Sequence, residues 1–210
     1  VCIKYIPWSP MAINGARCAI AAGITGAHLH RKRHRLRMNV TVLCGALSLT
    51  LTTVLYVFAT KLTSTACAVL LLYTAPVWVL AFGRLVHRQP PAPGADLAAA
   101  GTLLGLCFFA ADGMAGGRLP GNVLGLLSGV SYAGVFVFGA DADGDAESSW
   151  FLGQLLGAAA GLPFLGLERS FPLSALACAA LLGVFQLGLS YLLMAWGLAR
   201  TNAFTASLTT

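Results

Sequence analysis

Long apolar stretches separated by short polar segments dominate the pattern of this chain. A helix needs about 20 apolar residues to cross the roughly 30 Å of hydrocarbon in a bilayer. Several stretches approach that length, and the links between them carry charged residues, proline or glycine, which interrupt helices. The pattern predicts membrane-spanning helices near residues 8–27, 39–60, 66–86, 96–114, 121–140, 149–167 and 174–198, with an eighth beginning near residue 203.

The apolar pattern also repeats weakly at an offset of 138 residues. Residues 10–72 align onto later positions without gaps, and most of the paired positions are apolar on both sides. Five apolar stretches separate one copy from the next, and an odd number of spans inserts the second copy upside down. Inverted repeats of this kind are typical of membrane transporters. The identical pairs include Gly15 and Gly153, Gly23 and Gly161, Gly45 and Gly183, Leu51 and Leu189, Thr63 and Thr201, and Ala68 and Ala206.

The spans and the repeat together predict an all-α polytopic membrane protein made of two inverted five-helix repeats. We expect ten helices in the parent protein, of which about eight are visible here. The first repeat is predicted over residues 1–114, without its first helix, and the second over residues 121–210, cut short at its end. The absent helices are expected to contribute to any central cavity.

Composition agrees with a membrane protein, because 58% of the residues are hydrophobic and only 10% are charged. Soluble domains are about a quarter charged. Five of the thirteen Lys and Arg residues lie within residues 31–37, between two apolar spans. The positive-inside bias therefore predicts a multi-pass protein of the cell membrane with a cytoplasmic loop at residues 28–38. This basic run is expected to face lipid head groups rather than nucleic acid.

Three motifs occur in a characteristic order along the chain. Ser9-Pro10 precedes Arg17 in one span, a run from Tyr56 to Pro76 joins two spans, and Gly125 to Ala133 reads GLLSGVSYA. In order and spacing they resemble the EamA-type branch of the drug/metabolite transporter superfamily. The resemblance covers essentially the whole chain and implies two inverted five-helix halves that carry small metabolites, amino acids among them. The sequence departs from the family at His87, because members often carry a Glu in that stretch.

Polar residues recur at helical spacing on two spans that the repeat relates. Residues four apart lie on one face of a helix, so we expect both faces to line one central cavity. The alternative is that each hydroxyl bonds to a carbonyl of its own helix. The first face carries Ser48, Thr52 and Tyr56, and the second carries Gln186, Ser190 and Met194. Tyr73, Ser131 and Tyr132 are further candidates for binding a substrate.

Arg17 is a charged residue about a third of the way into a predicted span. Arg at the centre of a membrane helix costs about 2.5–3.5 kcal/mol on insertion scales, so it needs a partner or water. Two interpretations remain open. Arg17 either binds an anionic group such as a substrate carboxylate, or bonds to backbone carbonyls or the outer interface in a structural role.

Gly153, Gly157 and Gly161 form a stripe of small residues at four-residue spacing. The repeat maps this stripe onto Gly15, Ala19 and Gly23. Small residues let membrane helices approach closely, so the stripe predicts tight packing, with a gliding surface as the alternative. Pro76 is expected to bend its span, as a plain kink or as a hinge.

The favoured function is a secondary transporter that exports small metabolites, amino acids or related compounds, by alternating access. The alternatives are a multidrug or cation efflux carrier of the same fold and, further off, a channel or an intramembrane enzyme. No enzyme is expected, because no nucleophile is paired with a histidine within a predicted span. The scattered cysteines and histidines lack metal-ligand spacing, so no metal or cofactor is expected. A homodimer is possible.

Overall fold

Helices account for all the regular structure in the described part of the chain, which contains no strand. The computed structural model describes residues 2–85, 97, 99–105, 119–141, 143–198, 200–201 and 203–209. This confirms the predicted all-α class. The elements are α1 (Cys2–Tyr5), α2 (Pro10–Lys32), α3 (Val40–Leu62), α4 (Thr65–Leu72), α5 (Ala75–Leu85), α6 (Leu119–Gly139), α7 (Ala146–Leu165), α8 (Leu173–Leu181), a π-helical segment (Leu182–Leu189), α9 (Ser190–Leu198) and α10 (Ala203–Thr209).

Four stretches of the described chain are long and apolar enough to cross a membrane, which agrees with a polytopic membrane protein. They are Val40–Leu62, Thr65–Arg84, Leu119–Gly139 and Leu173–Leu198. The predicted spans 8–27 and 149–167 correspond to α2 and α7, which carry more polar residues and pack against each other. Most of the predicted span 96–114 lies outside the described residues, although 99–105 are helical.

The start of α2 follows from local sequence. Ser9 is its N-cap and accepts a hydrogen bond from the backbone N–H of Ala12 at 3.3 Å. Pro10 occupies the first helical position, where the N–H that proline lacks has no partner within the helix. Arg33 ends the helix with φ 52° in the left-handed region. The motif Ser9-Pro10 thus fixes the first turn of the helix that carries Arg17.

The glycine stripe brings α2 and α7 into backbone contact. A Cβ added to Gly161 would lie 2.5 Å from Gly15 Cα and 2.5 Å from the carbonyl oxygen of Met11. A Cβ on Gly157 would lie 2.9 Å from Cys18 Sγ. The packing role predicted for the stripe therefore holds at this crossing. It does not extend to Gly23, where an added Cβ meets nothing within 4 Å.

Helix contacts follow the predicted repeat, which equates α2 with α7 and α3 with the stretch from α8 to α9. α3 of the first predicted half packs along α7 of the second, and the π-helical segment of the second packs along α2 of the first. Gly45 lies against Ser149 on the first contact, and its repeat equivalent Gly183 lies against Ile20 on the second. Equivalent helices thus make equivalent contacts, which is what two related halves require.

Pro76 accompanies a break between α4 and α5 rather than a smooth bend. The helix stops at Leu72 and resumes at Ala75. Thr74 lies at the break, donating its backbone N–H to Leu71 O at 3.3 Å and its hydroxyl to the same oxygen at 2.7 Å. Because proline has no N–H to continue the helical ladder, the helix is interrupted here, and the two bonds from Thr74 to Leu71 close the end of α4.

Two polar connections tie the halves together at the ends of α2 and α7. At one end, Lys32 Nζ lies 2.6 Å from Glu147 Oε1 and His34 Nε2 lies 2.7 Å from Asp145 Oδ2. Burial tends to raise the pKa of the Asp145 carboxyl, but hydrogen bonds from Ser148 and His34 outweigh it and hold the pKa below its usual value. The basic loop therefore forms ion pairs and hydrogen bonds with the acidic start of α7.

At the opposite ends of these helices, the segment before α2 contacts the connection from α7 to α8. Trp8 Nε1 donates to the carbonyl of Ser170 at 2.8 Å, and the N–H of Ser9 donates to Glu168 Oε1 at 2.7 Å. The 138-residue offset maps each of these segments onto its counterpart in the first connection. The two polar connections are therefore related by the repeat, although they are formed by different side chains.

Candidate functional site

A cavity of about 550 Å³ lies where the two predicted halves meet. Small-molecule sites commonly have about 300–1,000 Å³, so this one has room for a metabolite-sized solute. Its walls come from α2, α3, the end of α4, α6 and the stretch from the π-helical segment to α10. The lining residues are Arg17, Thr52, Thr53, Tyr56, Leu72, Tyr73, Tyr132, Gln186, Leu187, Ser190, Tyr191, Leu193, Met194, Gly197, Leu198, Thr201 and Ala206.

The structure brings together seven of the nine site residues that the sequence predicts. Both faces related by the repeat contribute to the lining, Thr52 and Tyr56 from α3 and Gln186 and Ser190 from the stretch after α8. The predicted residues that line the cavity are Arg17, Thr52, Tyr56, Tyr73, Tyr132, Gln186 and Ser190.

Ser48 and Ser131 do not line the cavity. Ser48 faces α6 instead, so that a Cβ added to Gly134 would lie 2.6 Å from its Oγ. Ser131 precedes the cavity-lining Tyr132 by one residue, which turns it by about 100° around the axis of α6. His87, the point of departure from the family pattern, lies outside the described residues.

Arg17 is the centre of the polar network at the cavity. Its Nη1 donates to Gln186 Oε1 at 3.2 Å, and its Nη2 donates to the carbonyl of Thr53 at 3.1 Å and to Asn14 Oδ1 at 3.4 Å. The guanidinium carbon lies 5.9 Å from the ring centroid of Tyr56, within reach of a cation–π interaction. Arg17 therefore joins both halves of the bundle.

Gln186 reaches Arg17 from the π-helical segment. A π-helix has wider turns than an α-helix and occurs mainly as short insertions, often at functional sites. Ser190 stabilises the segment by donating its hydroxyl to the carbonyl of Phe185 at 2.5 Å. The repeat-equivalent positions 44–51 belong to the regular helix α3. The π-helical turn is thus particular to the half that supplies Gln186.

Several hydroxyl groups bond to their own helices, as the alternative reading of the sequence allowed. Thr52 Oγ1 donates to the carbonyl of Ser48 at 2.7 Å, although Thr52 also lines the cavity. Tyr132 Oη lies 3.8 Å from Met194 Sδ across the cavity. The two interpretations are therefore compatible, because a threonine can bond locally and still present one side to a solute.

Sequence reasoning missed two partners of Arg17. Asn14 lies three residues before Arg17 on the same helix face, a spacing that could have revealed it. Thr53 contributes its backbone carbonyl; the sequence allowed a bond from Arg17 to a backbone carbonyl, but no pattern of side chains indicates which carbonyl accepts it. Tyr191, which is not among the predicted site residues, lines the cavity and packs on Trp150 with ring centroids 5.3 Å apart.

The described residues contain no group of three or more His, Cys, Asp or Glu side chains arranged to hold a metal ion. The chemistry of this cavity therefore rests on hydroxyls, one amide, one guanidinium and aromatic rings. Such a set can bind and orient a small solute through hydrogen bonds and stacking.

Comparison with known proteins agrees with this architecture. The sequence model of the EamA-like transporter family matches residues 1–111 and 119–210, nearly the whole chain. No curated protein and no solved structure matches it. The match confirms the resemblance seen in the three motifs, and the helices fit a membrane protein of this kind. The chain therefore belongs to the EamA-like transporter family, membrane transporters of the drug/metabolite superfamily.

Proposed function

We propose that this protein is a secondary transporter that exports small metabolites, amino acids or related compounds, by alternating access between its two halves. The observation that carries the proposal is the cavity lined both by Thr52 and Tyr56 of the first polar face and by Gln186 and Ser190 of the second. A solute held there touches both halves, so a rocking motion of one half against the other can expose it to either side.

The proposal includes the orientation in the membrane. The basic loop at residues 28–38 lies in the cytoplasm of a cell whose plasma membrane holds the protein, in accordance with the positive-inside bias. The restriction to amino acids and related metabolites, and the direction of transport, rest on the family. No enzymatic activity is proposed, because the cavity lining contains no histidine, cysteine or carboxylate to act as a base or nucleophile.

Solute counterflow in proteoliposomes tests the proposal. The purified protein is reconstituted with unlabelled solute inside and labelled solute outside, over a panel of amino acids, nucleosides and cationic drugs. We expect saturable exchange of amino acids or related metabolites. Flux that rises linearly without saturation would indicate a channel, and exchange of the cationic drugs alone would indicate the cation efflux alternative.

Variants of the cavity then locate the site. Tyr56→Ala, which removes an aromatic contact, and Gln186→Ala, which removes a charge-assisted hydrogen bond, should each reduce exchange at least tenfold. Cys44→Ala is the matched control, because Cys44 lies on α3 outside the cavity lining and should leave exchange unchanged. Equal exchange by all three variants would contradict the assignment of the cavity.

A further inference from the structure

We propose that the transported solute carries an anionic group, and that this group binds at Arg17 and displaces Gln186 from the guanidinium. The inference rests on the proposed function, whose solute class it narrows. It assigns to the cavity an anion-binding end, formed by α2 and the π-helical segment, and excludes solutes that carry only positive charge.

The charges around Arg17 favour an anionic solute. Arg17 is 1% exposed, and all of its hydrogen-bond partners are neutral. The five carboxylates among the described residues belong to the segment 141–147 and to Glu168, at or beyond the ends of helices. No ion pair of the described residues involves Arg17. Its charge is therefore solvated by carbonyl oxygens but neutralised by none of these groups.

The second argument is an unused donor. Arg17 Nε is buried and has no hydrogen-bond partner among the described residues. A guanidinium offers a planar fork that fits the two oxygens of a carboxylate or phosphate. Gln186, an exposed residue of the cavity wall, accepts a hydrogen bond from Nη1, which forms a fork with Nη2. Nε lies on the other side of Nη2, so its N–H, free among the described residues, shows only that the guanidinium is not saturated with hydrogen bonds. An anion that replaces this amide can reach the guanidinium without opening the helix contacts around it.

Gln186 also has a role after it is displaced. Its Oε1 accepts from Arg17, so its Nε2 lies on the other branch of the amide and can donate to the same anion. Carbonyl oxygen and amide nitrogen are the two faces that a glutamine offers. One residue thus solvates the guanidinium when no solute is present and binds the solute when it is.

The rest of the cavity suits an apolar body attached to the anionic group. Tyr56, Tyr73 and Tyr132 supply aromatic faces, while Leu193 and Met194 supply aliphatic ones. A solute with only a positive charge would meet the guanidinium as a like charge, which opposes binding in a site of low dielectric. The same cavity therefore accepts anions and zwitterions and rejects cations.

Three probes with one phenyl-ethyl skeleton test the charge preference. Hydrocinnamate carries only a carboxylate, phenylalanine carries both charges, and phenethylamine carries only the ammonium. Binding is measured by thermal unfolding and by calorimetry on the purified protein, with no transport involved. We expect hydrocinnamate and phenylalanine to bind and phenethylamine to bind at least tenfold more weakly.

Gln186→Glu provides the decisive variant. The introduced carboxylate lies next to Arg17 and neutralises it, so binding of hydrocinnamate should fall about 10- to 100-fold, as expected when a charge-assisted bond is no longer available. The unfolding midpoint without ligand should stay the same or rise, which shows that the variant is folded. Ser174→Glu makes the same change in net charge at an exposed position of α8 and should leave binding unchanged.

Three results would overturn this inference: equal binding of hydrocinnamate and phenethylamine, undiminished hydrocinnamate binding by the folded Gln186→Glu variant, or no binding of hydrocinnamate at millimolar concentration. Each of these binding results is measured on the solubilised protein. A failure of counterflow would count against the proposed transport cycle and would leave these binding results standing.

Discussion

At the scale of single residues, a glycine is needed only where another backbone occupies the place of its side chain. Gly15 is such a position, because a Cβ there would meet the backbone of Gly161 and would lie 2.5 Å from the N of Leu162. Gly23 belongs to the same helix and the same sequence pattern, yet it has open space. The spacing of small residues therefore indicates a close helix contact but does not say which of them form it.

Gly15→Ala is expected to destabilise the protein by about 1–3 kcal/mol. The added methyl group would overlap backbone atoms, which cannot move to another rotamer as a side chain can. Gly23→Ala on the same helix is the matched control. It should be neutral, or stabilising by up to about 1 kcal/mol through helix propensity. Thermal unfolding of both variants in detergent measures the difference, and similar midpoints for the two would show that α2 and α7 do not touch at Gly15.

The surroundings of a charged or polar residue likewise decide its role. Arg17 has Leu155 as its repeat equivalent, and Gln186 has Ser48. Leu155 is exposed on the surface of the bundle and Ser48 packs against α6. Arg17 and Gln186 therefore bond to each other across the two predicted halves, while their repeat equivalents take no part in this network.

At the scale of elements, the connections carry as much of the structure as the helices do. The basic loop after α2 contacts the acidic start of α7 through Lys32 and His34. Asn39 adds a hydrogen bond from its Nδ2 to the carbonyl of Asp143 at 2.6 Å. A loop that the positive-inside bias alone would leave free in solvent is thus attached to the other half.

Asp145→Asn tests this attachment through its dependence on pH. A carboxyl whose pKa is lower in the folded protein stabilises it above the unfolded-state pKa, about 3.9, and this contribution is lost as the pH falls through the folded-state value. The substitution should lower the unfolding midpoint at neutral pH by an amount corresponding to about 0.2–1 kcal/mol, as for partly exposed ion pairs. The difference from the unmodified protein should shrink below about pH 4.

The control for this experiment is Asp143→Asn, which makes the same change in charge two residues away. The Asp143 side chain forms no ion pair with the described residues, so this variant should behave like the unmodified protein. A loss of stability in Asp145→Asn that persists unchanged below about pH 3 would show that charge is not the cause.

At the scale of the whole molecule, the repeat relates helices that make equivalent contacts in the two halves. The two polar connections also lie at positions related by the repeat: one involves the link between α2 and α3, the other the link between α7 and α8. If the halves are inverted, these two polar connections lie on opposite sides of the membrane. That orientation is the central prediction about the molecule as a whole.

Arg31 and Arg169 offer a matched test of the inversion, because the 138-residue offset pairs them and both side chains are exposed. Arg31→Cys and Arg169→Cys are made separately in a background in which the native cysteines are replaced. A membrane-impermeant maleimide applied to intact cells should label only Arg169→Cys, and Arg31→Cys should require permeabilised cells. Labelling of both variants from the same side would contradict inverted insertion.

Much of this architecture is encoded locally, which is why the sequence predicts it. Apolar length indicates each helix, and Ser9 and Asn39 lie at the N-caps of α2 and α3, whose amide donors they satisfy. Pro76 predicts an interruption because it lacks an N–H. The periodic polar faces lead to Thr52 and Gln186, since residues four apart share a side of the helix wherever it is placed.

The sequence by itself determined the helical class, the order of the spans and seven of the seventeen residues that line the cavity. Only the tertiary structure decided that Ser48 turns to α6, that Gly23 stays open, and that a π-helical turn brings Gln186 to Arg17. The reason is physical: hydropathy and capping act between neighbours in the chain. Contacts between helices depend on axial register and on backbone carbonyls such as that of Thr53, which every residue carries alike.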